Sequence, residues 1–374
     1  SAPTPPRAGP ACPSIGATAR RARDRAHVEP PTPAADSDGR NPMLRIALFG
    51  AGRIGQVHAR SIAESPDATL AWVCDPAEQA AKDLAATYGA KASPDPASAI
   101  EDKSVDAVLI ASATPTHTEL IRAAAIAGKR ILCEKPIDLD MARIDATWDA
   151  IKAKKPFVML GFNRRFDPSF AEMNARVKAG EIGTLRALRV TSRDPQPPPA
   201  AYIAVSGGIF RDMTIHDFDM ARFFLGPITE VSAVASHNGD KVFIDAKDHA
   251  QAIVTLRNAA GALCVIVNSR TCAYGYDQRL EAFGDAGSLE AGNMTATTVR
   301  ASNATQTEAA GRILDFFLQR YMPAYRAELA EFVAAIKADR EPAVGFADGR
   351  AALVLAEAAI ESVATGRVVR VTGG

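Results

Sequence analysis

The feature that most constrains this chain is Gly50-Ala51-Gly52-Arg53-Ile54-Gly55, a G-x-G-x-x-G that follows the apolar run Leu44 to Phe49. A helical pattern opens at once, from Ile54 to about Glu64. A strand that turns through glycines directly into a helix is the dinucleotide fingerprint. The first glycine permits the tight turn and the second lets the backbone approach a pyrophosphate. The third lets the helix pack on the strand, and the helix N-terminus offers N–H donors with a partial positive charge.

Asp75 ends a second strand, Thr69 to Cys74, 20 residues after Gly55. An acid there accepts hydrogen bonds from both adenosine ribose hydroxyls and repels a 2′-phosphate. Pro76, Ala77 and Glu78 supply no cation to accommodate one, so the expected cofactor is NAD rather than NADP. The plainer role for Asp75 is to cap a turn before Pro76.

The alternation continues. A helix is expected over Ala77 to Tyr88, ended by Gly89, then a strand over Val105 to Ala111, a helix over Thr118 to Ala127 and a strand over Arg130 to Cys133. Phe157 to Gly161 adds a further strand. Strands alternating with helices at such intervals predict a doubly wound parallel sheet over residues 43–162. Ligands of such sheets bind at the carboxyl ends of the strands. That places Ala111 and the following Thr114-Pro115-Thr116-His117 beside the nicotinamide, together with Glu134-Lys135-Pro136 after the fourth strand. Lys135 is positioned to reach both nicotinamide and a substrate hydroxyl; His117 is expected to cap or pack rather than react.

After Phe162 the texture changes. Leu185 to Thr191, Ile228 to Ser236, His249 to Leu256, Gly261 to Ser269 and Gln278 to Phe283 read as strands with few helices between them, with a hairpin turn at Asn258 to Gly261. Helices are expected over Tyr325 to Ala338 and Gly349 to Thr365. The second unit, residues 163–374, is therefore expected to be α+β with a large, mostly antiparallel open sheet. Residues 1–42 are rich in Pro, Ala and Arg and poor in large apolar residues, so a disordered extension is expected there. Met43, directly before the first strand, is the expected natural start.

Lys+Arg and Asp+Glu both number 43 of 374 residues, and this balance argues against nucleic-acid or membrane-surface binding, which needs a basic excess. Five scattered cysteines without C-x-x-C point to reduced thiols in the cytoplasm rather than a disulfide framework or zinc site. No apolar run is long enough to span a bilayer.

Gly207 to Leu225 reads as one helix entered through two glycines, with Asp212, Ile215, His216 and Asp219 at i, i+3, i+4 and i+7 on one face. Oxidising an alcohol requires removing the hydroxyl proton as hydride leaves the same carbon. A histidine suits that task, a neighbouring carboxylate would orient its ring, and a polyol needs several further polar groups to hold it. The same face offers an alternative use, a metal held by Asp212, His216 and Asp219. Cysteines or a second well-placed histidine would strengthen that case, and neither is present. The plain alternative is a helix whose polar groups bond to neighbouring backbone.

GAGRIG, ASATPTHTEL, EKPIDL, GFNRRFDPSF, SRDPQPPP, GGIFRDMTIHDFDMARFFLG and YGYDQRLEAFG together resemble the Gfo/Idh/MocA oxidoreductases, and among them the inositol 2-dehydrogenases. The resemblance runs from about Met43 to the C-terminus. It implies that Lys135 bridges nicotinamide and substrate, that His216 is the general base, and that Asp212 holds the substrate hydroxyl and tunes His216. It implies Asn163, Arg164, Asp194, Asp219 and Tyr276 as substrate-pocket residues, a cis Lys135-Pro136 peptide, and a homotetramer formed through the outer faces of the C-terminal sheets. The implied reaction is NAD-dependent oxidation of myo-inositol to 2-keto-myo-inositol, the first step of inositol breakdown. Ser192 stands where some members carry a histidine, which leaves open another cyclitol (scyllo- or D-chiro-inositol) or a pyranose sugar. A catalytically silent NAD-binding sensor and a cofactor-free sugar-binding protein are rivals of other classes. The first predicts a broken Lys135, Asp212 and His216 set, and the second an incomplete glycine fingerprint.

Overall fold

The computed structural model describes residues 43–372 and Gly374; the extension expected over residues 1–42 lies outside the described residues. Strands β1 (Leu44–Phe49), β2 (Ala68–Cys74), β3 (Lys91–Ser93), β4 (Ala107–Ile110), β5 (Arg130–Glu134) and β6 (Val158–Gly161) alternate with α1 (Arg53–Ala63), α2 (Glu78–Tyr88), α3 (Ala97–Glu101), α4 (His117–Ile126) and α5 (Met141–Ile151). All six strands are parallel, in the order β3-β2-β1-β4-β5-β6, the doubly wound order with its switch point between β1 and β4. Every residue of β4 and β6 is buried, as expected of a parallel sheet covered on both faces. Three elements carry no clear sequence signal, the one-turn helix α3 among them. β3 is a short edge strand of Lys-Ala-Ser, and α5 fills the stretch after Pro136, where Asp140 caps it by accepting the Ala142 N–H at 2.8 Å.

The chain then forms α6 (Pro168–Lys178), β7 (Leu185–Arg193), α7 (Ala200–Ile203), α8 (Gly208–Asp212), α9 (Thr214–Leu225), β8 (Ile228–Ser236), α10 (Lys241–Asp245), β9 (Gln251–Asn258), β10 (Leu263–Ser269), β11 (Asp277–Gly284) and β12 (Ser288–Ala291). A small hairpin of β13 (Arg300–Ala301) and β14 (Ala309–Ala310) follows, then α11 (Phe317–Arg320), α12 (Met322–Lys337), α13 (Phe346–Thr365) and β15 (Val369–Arg370). The second sheet has the order β12-β11-β7-β10-β9-β8-β15. Only β7 and β10 run parallel; the other pairs are antiparallel. At the expected hairpin the Gly261 N–H donates to the Asn258 carbonyl at 3.0 Å.

Along β9 and β10 burial alternates with period two, so one face of this sheet is packed and the other bare. α9 and α13 lie on the packed face. α13 also contacts α5 and β6 of the first sheet, and α12 packs on α1, so the last two long helices return to brace the nucleotide-binding unit.

The expected helix over Gly207 to Leu225 is in fact two. Gly207 and Gly208 both take positive φ, and the helical run breaks at Met213 (φ −96°, ψ −59°) between α8 and α9. The break sets Asp212 at the end of one helix, against Lys135 after β5, and His216 in the first turn of the next, against Phe162 after β6.

Candidate active site

The glycine turn carries three distinct geometries. Gly50 has φ +105°, and a Cβ there would stand 2.5 Å from the Ala111 carbonyl oxygen. At Gly55 a Cβ would come 2.0 Å from the Gly50 oxygen, so any side chain would part α1 from the turn. At Gly52 nothing lies within 4 Å, which is the open approach a pyrophosphate needs. Asp75 braces the turn from β2: one carboxylate oxygen accepts the Ala51 N–H and the other the Ala77 N–H, each at 2.8 Å. Its turn-capping role is thus real, and each oxygen keeps a lone pair for a ribose hydroxyl. Arg53 is exposed and Ile54 half-buried at the start of α1. These residues fit a dinucleotide, which would lie over Gly52 with its ribose at Asp75.

On the nicotinamide side, Thr114 and Pro115 belong to a 3₁₀ turn that leads into α4. His117 is buried, with Nδ1 at 2.8 Å from the Pro136 carbonyl and Nε2 at 3.0 Å from the Ser112 carbonyl. It ties the loop bearing Lys135 to the loop after β4, a packing role; burial holds its pKa below the ordinary value. Glu134 also turns inward. Its Oε1 takes His58 Nε2 of α1 at 2.8 Å, so its carboxylate is not offered to the cofactor as the sequence suggests.

Lys135-Pro136 is a cis peptide. The Lys135 Nζ donates to the Asp212 backbone carbonyl at 3.0 Å and lies 3.7 Å from its carboxylate. Asp212 is held from two further directions: the Tyr202 hydroxyl donates to Oδ1 at 2.8 Å, and Arg270 Nη1 to Oδ2 at 3.2 Å. Arg270 is itself wholly buried at the end of β10. Its Nη2 lies 3.6 Å from Asp248, whose other oxygen caps α8 by accepting the Ile209 N–H at 2.8 Å.

His216 stands edge-on to Phe162, ring centroids 6.1 Å apart, with Nδ1 buried and without a partner. Asp212 does not hydrogen-bond to His216, contrary to the expected orienting pair, because the break at Met213 removes them from one continuous helical face. Burial first, then the charges of Lys135 and Arg164, push the His216 pKa well below the ordinary value. The imidazole is neutral near pH 7, and a neutral imidazole can accept a proton.

Around this centre, Asn163 is buried on the 3₁₀ turn after β6. Arg164, on the same turn, donates to Asp217 at 2.5 Å and to Ser192 at 3.2 Å. Ser192 in turn donates to Gln278 at 3.0 Å, so the position where a histidine was considered belongs to a buried polar network. Asp194 sits at the end of β7; burial raises its pKa to about 6, with Arg270 opposing. Tyr276 is buried edge-on to Tyr321, centroids 5.9 Å apart.

Asp219 is corrected. It is 1% exposed and its two oxygens take Arg165 Nε and Nη2 at 2.8 and 2.6 Å. The metal set Asp212, His216 and Asp219 is therefore not assembled. Tyr202, Arg270 and Asp248 were not singled out from the sequence. Tyr202 follows the proline run Pro197-Pro198-Pro199, the one local mark near it; Arg270 and Asp248 give no local signal.

The comparisons agree with this architecture. Residues 44–162 match the model of the oxidoreductase family with NAD-binding Rossmann fold, and residues 170–290 match the GFO/IDH/MocA C-terminal domain. The myo-inositol 2-dehydrogenase of Thermotoga maritima is 45% identical over 329 residues, 87% of this chain and 98% of that protein. The crystal structure of a myo-inositol dehydrogenase from Corynebacterium glutamicum superposes with TM-score 0.86 at 52% identity, covering 88% of this chain and 99% of that one. A scyllo-inositol dehydrogenase from Lactobacillus casei, solved with bound NAD(H) and scyllo-inositol, gives TM-score 0.77 at 28% identity over 88% of this chain and 99% of that one. A Rossmann unit whose Lys135 meets Asp212 of the second unit, with the family models that match both, defines the class, an oxidoreductase. The chain belongs to the Gfo/Idh/MocA family and is an NAD-dependent dehydrogenase within it. Among the described residues no helix is long and apolar enough to cross a membrane.

Proposed function

We propose that the enzyme oxidises myo-inositol to 2-keto-myo-inositol, at the first step of inositol breakdown in the cytoplasm. The observation that carries the reading is Lys135 bonded to Asp212, with the charge of Lys135 acting on the buried His216, in a chain this similar to dehydrogenases named for inositol. NAD, when bound along Gly50–Gly55, supplies the hydride acceptor. Lys135, at the end of β5, holds the reacting hydroxyl against His216. His216 is kept neutral and takes the hydroxyl proton as the carbon–hydrogen bond of that carbon breaks. Asp212, fixed by Tyr202 and Arg270, accepts from the same or the adjacent hydroxyl, and Asn163, Arg164, Asp194 and Tyr276 are assigned to the rest of the ring. Asp75 favours NAD over NADP by the charge argument above. The complete catalytic set weighs against a silent sensor, and the complete glycine fingerprint against a cofactor-free sugar-binding protein.

The bare face of the second sheet supports a homotetramer. Val234, Ile253, Leu263 and Phe283 are each about half exposed or more, and Ile253 stands between Val234 and Val267 in register. A contiguous apolar patch on a sheet face is characteristic of an interface.

Initial rates of NADH formation test the reading, with NAD or NADP and a panel of cyclitols and pyranoses. The highest kcat/KM with NAD and myo-inositol is expected. A preference for scyllo-inositol, D-chiro-inositol or glucose would keep the mechanism and overturn the substrate. No turnover with any of them, despite NAD binding, would favour the sensor.

A further inference from the structure

Glu328 of α12 is wholly buried, and neither of its carboxylate oxygens has a hydrogen-bond partner. A carboxylate left bare in an apolar interior is costly enough that it takes up a proton instead. The mechanism above does not use this group, yet its place is specific. α12 packs on α1, and Tyr325, one turn before Glu328, lies edge-on to His58 of α1 with ring centroids 5.4 Å apart. The charged group that acts on Glu328 is Glu134, at the end of β5. Glu134 is packed tightly: His58 Nε2 lies 2.8 Å from Oε1, and a Cβ on Gly161 of β6 would come 3.1 Å from Oε2.

Tyr325, one turn from Glu328, thus meets the same His58 that binds Glu134, the residue before Lys135. A carboxyl group enclosed without a hydrogen-bond partner keeps its proton. Glu134 already accepts His58 and, at 3.3 Å, the backbone N–H of Lys135, whereas Glu328 accepts nothing. The proton therefore belongs on Glu328. We propose that Glu328 is a positioning residue of the dehydrogenase site: as a neutral acid it donates to Glu134, and Glu134 so fixed holds the backbone of Lys135 at the mouth of the nicotinamide pocket. Burial, with Glu134 beside it, keeps its pKa far above the ordinary carboxylate value. The inference rests on the reading of Lys135 as a working residue.

The test compares wild type, Glu328→Gln, Glu328→Leu and Lys135→Met. Glutamine keeps a neutral donor of the same shape, so turnover with NAD and myo-inositol should stay within about threefold of wild type, whereas leucine should lower kcat about tenfold or more, the scale of a small displacement in a reacting group. The Kd for NADH should move less than about threefold in both, because the fault lies in placing Lys135 and not in holding the nucleotide. Infrared difference spectra of wild type against Glu328→Gln at neutral pH should show the carbonyl stretch of a protonated carboxylic acid, and this reading does not depend on the leucine variant folding. Absence of that band overturns the proposal, as does a folded Glu328→Leu enzyme with wild-type turnover. If Lys135→Met itself leaves turnover unchanged, it is the reading of Lys135 that falls. If Lys135→Met abolishes turnover while the two Glu328 variants behave alike, the role of Glu328 alone is refuted.

Discussion

His216 shows how much of a residue's chemistry comes from its surroundings. The type of side chain is legible in the sequence, but its state is not: burial, Lys135 and Arg164 hold the imidazole neutral, and these come from two other segments of the chain. The folded-state pKa is depressed, so the free base persists as pH falls through the ordinary histidine range near about 6.5. The acidic limb of kcat/KM owed to His216 should accordingly lie below that range. It should be read in an Asp194→Asn background, since burial raises the Asp194 carboxyl to about 6. The linkage has the same sign for stability: below about 6.5 the unfolded chain binds a proton at His216 that the fold refuses, so this contribution is lost as pH falls. His216→Ala should reduce turnover about 100-fold or more with little change in NAD affinity. A limb near 6.5 that disappears in His216→Ala would show instead an unshifted histidine. Lys135 was found from its place after a strand. Asp219 was misplaced because helical spacing predicts a shared face but not which neighbour claims it, and Arg165 claims it from the turn after β6. Tyr202 and Arg270 reach Asp212 across 10 and 58 residues of sequence, and no local pattern encodes such pairings.

Among the elements, the strongly periodic and apolar ones were legible, with ends shifted by at most three residues. β3 was missed because an edge strand of three residues has no room for a period, and the α8–α9 break was missed because nothing at Met213 resembles a helix breaker. The glycine turn yields the sharpest test at this scale, because its glycines are required for different reasons. Gly55→Ala would drive a Cβ to 2.0 Å from a backbone oxygen, and should destabilise the fold by about 1–3 kcal/mol, the usual range for overpacking, as well as weaken NAD binding. Gly52→Ala meets nothing within 4 Å, so its melting should differ from wild type by less than about 0.5 kcal/mol while NAD binding still weakens. Denaturant melts beside NADH titrations separate the two; a Gly52→Ala protein with wild-type NAD affinity would remove the pyrophosphate from that turn.

At the scale of the molecule, the two sheets and their order follow from the change of texture near Phe162, but the return of α12 and α13 to the first unit does not. Those helices read as amphipathic without saying against what; the structure answers that they brace α1 and both sheets. The apolar face of the second sheet should be covered by other copies of the chain. Ile253→Glu, at the centre of that face, should convert a tetramer into smaller species by light scattering while leaving each copy folded. A wild-type protein that is monomeric at micromolar concentration, or a variant that stays tetrameric, would place the interface elsewhere.

The proposed function requires a direct hydride transfer from the carbon that bears the axial hydroxyl of myo-inositol. The measurement that reaches it is oxidation of myo-inositol deuterated at that carbon, with mass analysis of the reduced cofactor. One deuterium in the NADH and none on the new ketone carbon is the predicted result. Unlabelled NADH, or a product oxidised at another carbon, would contradict it.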